Sequence, residues 1–185
     1  MCKFPLILSA ALLSFSISIV RADVVGMKTT KDIGEHLTLA LNAGLSATLT
    51  WKDGPSETLS FEGSPVDVAV RSDSLTITSV SGEITRLYVP SSGLVSLNVS
   101  GAPSLRTLMC SDNSLTSLSL TRNTLLTDLD CSDNRLTSLS LTNNRSIESV
   151  NCSGNSITAL NYGAVGVTSL HTLICSGNSI DTLRT

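Results

Sequence analysis

Residues 105–125 read LRTLMCSDNSLTSLSLTRNTL, and residues 126–146 read LTDLDCSDNRLTSLSLTNNRS. The pattern resumes at Ile147 (IESVNCSGNSITALNYGAVGVTS) and again at Leu170 (LHTLICSGNSIDTLRT). Cys110, Cys131, Cys152 and Cys175 stand 21, 21 and 23 residues apart, and Asn113, Asn134, Asn155 and Asn178 each follow by three. A period of this size carrying L-x-x-L-x-C-x-x-N-x-L-x-x-L marks a leucine-rich repeat with cysteine at its third apolar position. A weaker copy comes first: Ile84, Leu87, Val89, Leu94, Leu97 and Val99 fit the frame, with Ser92 in place of the asparagine.

Each unit has a physical reading. In Thr107–Cys110, strand alternation sends Leu108 and Cys110 inward and leaves Thr107 and Met109 facing out. One repeat cannot bury its apolar edge alone; stacked neighbours can, so the strands pair into a parallel sheet over a continuous core. Leu115 with Leu118, Leu136 with Leu139, Ile157 with Leu160 and Ile180 with Leu183 return along the opposite side of each coil. The asparagines fall where the chain turns off the strand, and their amides suit backbone groups that the turn leaves unpaired. Equivalent cysteines on adjacent parallel strands lie about 4.8 Å apart and point the same way. A disulfide needs Cβ atoms nearer 3.8 Å and suitably angled, so buried free thiols acting as small hydrophobes are expected. Four ligands strung along a line cannot converge on one zinc ion either.

The pattern resembles the bacterial cysteine-ladder leucine-rich repeats of the internalin type, and similar 21-residue repeats occur in surface and secreted proteins of Bacteroidetes-like bacteria. The resemblance covers residues 84–185. It implies a curved solenoid that binds another molecule, commonly in host or surface adhesion, without naming a ligand.

Upstream, Lys3 precedes an apolar run from Phe4 to Val20, and Val20-Arg21-Ala22 then offers a cleavage site before Asp23. This is a secretory signal peptide, residues 1–22, with cleavage expected after Ala22 and no stable membrane span afterwards. Removing Lys3 and Arg21 from the 12 basic residues leaves ten against 15 acidic ones, so the mature chain is acidic. Basic clusters are absent, and no nucleic-acid partner is expected.

Residues 23–83 alternate apolar and polar in short runs: His36–Asn42, Ala47–Trp51, Glu57–Phe61, Val66–Val70 and Ser74–Thr78. Turn residues separate them, Asp53-Gly54 being a hairpin signal. The segment looks like the β-rich module, with its W-x-D-G turn at Trp51–Gly54, that often precedes such bacterial repeats. A solenoid's first coil exposes an apolar end and an unpaired strand edge, and a cap must cover both. Trp51 is expected in the core of this module or at its junction with the repeats.

Catalytic signals are missing. His36 and His171 are the only histidines, no serine sits in a nucleophile elbow, and no glycine-rich phosphate loop occurs. Neither a catalytic site, a cofactor nor a metal site is expected. Asp128, Asp130 and Asp133 form the densest acidic group, but they offer too few oxygens for calcium and read as a solvated face. What varies between repeats is the outward surface of the strands, in two columns: Arg86, Thr107, Asp128, Ser149, Thr172 and Tyr88, Met109, Asp130, Asn151, Ile174. Exposed Tyr88, Met109 and Ile174 among small polar residues make a recognition face.

The expectation is a mainly β protein: a right-handed leucine-rich-repeat solenoid with a parallel β-sheet, behind a small β-rich N-terminal cap module. The domains are 23–83 for the cap and 84–185 for about five repeats, the first degenerate and the last truncated. The expected function is recognition of a protein or glycan ligand by a secreted or cell-surface protein, as in adhesion, without catalysis. The alternatives are a structural subunit or fragment of a larger surface adhesin, and a glycan-presenting accessory to a hydrolase. The uncapped terminal repeat is also a place for self-association.

Overall fold

The computed structural model describes residues 22–162 and 169–184, with backbone alone for 182–184. The expected signal peptide up to residue 21 and residues 163–168 of the third repeat lie outside the described residues. The described chain is built from strands and turns. Six strands precede the repeats: β1 (Val24–Thr29), β2 (His36–Leu41), β3 (Leu45–Trp51), β4 (Ser56–Phe61), β5 (Val66–Ala69) and β6 (Ser74–Ser81). Each repeat opens with a three-residue strand; these are β7 (Arg86–Tyr88), β9 (Thr107–Met109), β10 (Asp128–Asp130), β12 (Ser149–Asn151) and β14 (Thr172–Ile174). The return segments supply β8 (Leu94–Gly101), β11 (Ser138–Ser140), β13 (Ala159–Asn161) and β15 (Thr182–Arg184).

The repeat strands stack in parallel in the order β14-β12-β10-β9-β7, and β2 then closes the β7 edge antiparallel, with β5 beyond it. An unpaired edge at the first coil is thereby covered by chain from the N-terminal part. The other strands there form an antiparallel sheet in the order β4-β3-β6-β1-β8. Behind the repeats, β11, β13 and β15 make a small parallel sheet. The molecule is a parallel-sheet solenoid of about four turns, mainly β.

Two features of this arrangement were not read from the sequence. Residues 24–29 form a strand, and the return of the first repeat leaves the solenoid: Leu97 and Val99 are buried as the frame requires, yet β8 pairs with β1. Hydrogen bonding therefore runs across residue 83. Asp23 ties the same junction, its carboxylate accepting the Ile84 N–H at 2.7 Å and its backbone N–H reaching Ser79 Oγ at 2.8 Å.

One apolar core runs through both parts, from Val25 and Trp51 to Ile157 and Leu160. In the solenoid it consists of columns: Leu87, Leu108, Leu129 and Val150 behind the sheet, then Leu115, Leu136 and Ile157, all buried. Each such side chain contributes about 1.5–3 kcal/mol of burial. Trp51 is 1% exposed, in the core as expected, with its indole N–H unpaired among the described residues. Asp53-Gly54 turns the β3–β4 hairpin, Gly54 N–H bonding back to the Trp51 carbonyl at 3.3 Å.

The outward face of the five-stranded sheet is unlike an ordinary solvated sheet. Thr48 lies between Thr58 and Thr78, and Thr50 between Ser56 and Thr76. Thr48 and Thr58 share a hydrogen bond of 3.0 Å, and Ser46 and Ser60 one of 3.2 Å. Ser74 completes β6. Every outward position on β4 and β3 and at 74, 76 and 78 of β6 thus carries a hydroxyl and no charge.

Candidate functional site: the outward face of the repeat sheet

Register decides which side chains meet on this face. Arg86, Thr107, Asp128, Ser149 and Thr172 are successive partners across the sheet, and so are Tyr88, Met109, Asp130, Asn151 and Ile174. Both columns of the sequence reading therefore stand in register, one residue per coil. Their exposure is a correction. Tyr88 and Met109 are half-buried, as are Thr107, Asp128, Asp130, Ser149 and Asn151; only Arg86, Thr172 and Ile174 are exposed. Neighbouring strands about 4.8 Å away on either side cover the flanks of each side chain.

Several polar groups of the face are held by their own coil. Asp130 Oδ1 accepts from Ser132 Oγ at 2.6 Å and from Ser132 N–H at 3.0 Å. Asn151 Oδ1 repeats this with Ser153 at 2.7 and 3.2 Å. Asp128 Oδ2 accepts from Thr127 Oγ1 at 2.7 Å. The result is a face whose acidic and amide groups are pre-oriented, with Arg86 at one end and two carboxylates in the middle. Among the described residues no three His, Cys, Asp or Glu side chains gather so as to hold a metal ion.

Behind the face, the ladder asparagines act as the sequence implies. Asn134 Nδ2 donates to the carbonyls of Cys110 (3.0 Å), Cys131 (3.2 Å) and Ser132 (3.0 Å), while its Oδ1 accepts the Leu115 N–H at 2.9 Å. Asn155 makes the same set one coil on, to Cys131, Cys152 and Ser153, and accepts from Leu136. Asn113 reaches Val89, Cys110 and Ser111, and Asn178 reaches Cys152, Cys175 and Ser176. Where Ser92 replaces the asparagine, its hydroxyl serves Pro90 O at 2.9 Å and Thr38 O at 3.3 Å, a link back to β2.

The thiols are free. Cys110, Cys131 and Cys152 are buried and Cys175 is half-buried at the last described repeat strand. Burial pushes the Cys110 thiol up to about 12, with the nearby Asp130 charge adding to it, and pushes Cys152 up to about 11. Cys131 rises well above its ordinary value for the same reason, with Cys110 and Cys152 next to it.

A second asparagine column escaped the sequence reading. Asn123 Nδ2 donates to Val99 O (2.9 Å) and Ala102 O (2.8 Å), and Asn144 Nδ2 to Leu120 O (3.1 Å) and Asn123 O (2.7 Å). Both are buried, and their Oδ1 atoms are unpaired among the described residues. The signal was present: L-T-R-N and L-T-N-N place the two 21 residues apart. The 23-residue third repeat breaks the column after two copies, so it did not stand out.

Fold and face together define a leucine-rich-repeat-like, parallel-sheet solenoid presenting a variable surface. No protein-family model matches the chain, and no curated protein sequence matches it. Among solved structures, it is similar to the functional domain of InlJ from Listeria monocytogenes, which includes a cysteine ladder. The identity is 30%, the TM-score 0.46, and the match covers 52% of this chain and 21% of that one. The chain thus spans about a fifth of the length of that structure.

Proposed function

We propose that this is a cysteine-ladder leucine-rich-repeat protein of the secreted or surface class, which recognises a protein ligand through the outward face of its repeat sheet and performs no catalysis. One observation carries the reading. The two outward columns differ from coil to coil while lying in register, whereas the Leu, Cys and Asn columns behind them repeat. A surface released from the ladder's demands, on a backbone held rigid by that ladder, suits selective recognition. The face supports a protein ligand over a glycan, because it mixes half-buried Tyr88 and Met109 with carboxylates and an arginine. Adhesion is the role that the resemblance to internalin-type repeats brings with it.

The test is affinity capture from host-cell and bacterial surface extracts, run in parallel with the wild-type protein and a folded Tyr88→Ala/Met109→Ala variant. A ligand retained by the wild type and lost by the variant supports the reading. Equal capture by both moves recognition away from this face.

A further inference from the structure

The chain enters its fold within one residue. Ala22 is exposed, and Asp23 beside it is 5% exposed. Asp23 continues the pairing of β1 with β6: its carbonyl accepts the Ser79 N–H at 3.0 Å, and its own N–H donates to Ser79 Oγ at 2.8 Å. Its carboxylate accepts the Ile84 N–H at 2.7 Å. β1 is moreover an interior strand, with β6 on one side and β8 on the other. The first residues of a domain are seldom tied down so fully. This boundary falls on the Ala22–Asp23 bond, where the sequence places removal of the leader.

From this coincidence we infer that the amino group released at Asp23 is part of the fold: as an ammonium it holds the Ser79 hydroxyl, so that leader removal completes the junction of β1 with β6. The inference rests on cleavage after Ala22. That step is a hydrolysis: water's hydroxyl joins the Ala22 carbonyl carbon, the C–N bond breaks, and the nitrogen keeps a proton from the water. At neutral pH the amine also takes up the proton that the new Ala22 carboxyl loses. The N–H received by Ser79 Oγ then becomes a charge-assisted donor, about twice as strong as a neutral one. The Asp23 carboxylate gains a positive neighbour on its own residue. Since Ala22 is exposed, the place it vacates opens to water, and the ammonium escapes the cost of full burial. An order of events follows. Proteases cut backbone that is exposed and loosely held, whereas both backbone groups of residue 23 are bonded in the folded protein. Cleavage therefore precedes the docking of Asp23.

The experiment compares two forms of the mature chain, each released from a cleavable fusion partner. One begins at Asp23; the other retains Ala22 with two glycines ahead of it. The chain beginning at Asp23 should melt higher by about 3 °C. Acetylation of its α-amine, which keeps one N–H and removes the charge, should bring the melting temperature down to that of the extended chain. Ser79→Ala should lower the melting temperature at least twice as far in the chain beginning at Asp23 as in the extended one. Mass spectrometry of the protein exported with its own leader should find Asp23 first. Equal melting of the free, acetylated and extended forms overturns the inference. Equal losses on Ser79→Ala in the two chains, or an exported chain that starts at another residue, overturn it as well.

Discussion

The carboxylate of Asp133 fills the space above Gly154 in which a β-carbon would stand, so a Cβ built on residue 154 collides with Asp133 Oδ1. The two residues are equivalents in consecutive coils, both in the left-handed conformation, with φ of 51° and 62°. Aspartate tolerates that conformation at its own turn, and glycine in the next coil makes room for it. Gly154→Ala should therefore cost about 2 kcal/mol, part from φ and part from the collision. In an Asp133→Gly background the same change should cost less, because the collision is gone. Urea midpoints of the four proteins measure this coupling; strict additivity would show that the carboxylate exerts no pressure on residue 154.

The buried asparagine ladder makes a larger prediction. Asn134→Ala orphans the Leu115 N–H and removes the shared donor from three carbonyls, all in the turn region. The Cys110, Cys131 and Ser132 carbonyls keep other donors, in Asn113, Asn155 and the Asp112 N–H, so the main cost is the Leu115 N–H left unmet, about 1–3 kcal/mol where water cannot reach it. Asn178→Ala should cost less, since its surroundings are part-exposed. Chemical denaturation of the two variants, side by side, checks the order.

Thiol titration gives a pH dependence of definite sign. The unfolded thiol ionises at about 8.5, whereas Cys110 and Cys152 are raised to about 12 and 11 and Cys131 is raised as well. A proton is thus held more tightly in the folded state. The contribution is intact below about pH 8.5 and is lost as pH climbs from there toward the folded values, at up to about 1.4 kcal/mol per pH unit for each thiol. Urea midpoints from pH 7 to 10.5 should fall steadily above 8.5, and less steeply in Cys131→Ala. With a thiol reagent at pH 8, native protein should react slowly and denatured protein should yield all four ladder thiols without reductant. A denatured count near zero would mean disulfides.

On the proposed recognition face, stability and binding should separate. Tyr88→Ala, Met109→Ala, Asp128→Ala and Asp130→Ala each replace a side chain outside the Leu and Cys columns, so stability should shift by about 1 kcal/mol or less. Loss of an anchoring aromatic contact would weaken a captured ligand by about 2 kcal/mol. Leu108→Ala is the contrast: a fully buried column residue whose truncation costs about 2–5 kcal/mol and loosens the coil itself. Thermal melts and titration calorimetry on the same preparations distinguish the two kinds of damage.

The solenoid was legible because a repeat writes each structural requirement several times. Leu108, Leu129 and Val150 announce a column that no single copy would reveal. The columns Tyr88 to Ile174 and Arg86 to Thr172 followed from alternation plus the period, and the strand register matches them residue for residue. What was illegible carried no distinct repeated signature of its own. Strand β1 owes its place to pairing with distant β6 and β8. The return sheet at 138–140 and 159–161 was hidden in the S-L-S and A-L-N alternation, which the leucine frame had already absorbed. Exposure was misjudged at Tyr88 and Met109 because alternation gives a side chain's direction and not the height of its neighbours.

The asparagine ladder also gives the solenoid a time order. Asn134 completes the corner of the coil before its own, since the Leu115 N–H acquires its partner only when residue 134 arrives. Asn155 does this for the Leu136 N–H, and Asn178 for that of Ile157. Every corner is finished by its successor and none by its predecessor. A chain that emerges N-terminus first, from a ribosome or through an export channel, meets these obligations in the sequence in which they can be discharged. Each newly arrived coil locks the one already laid down.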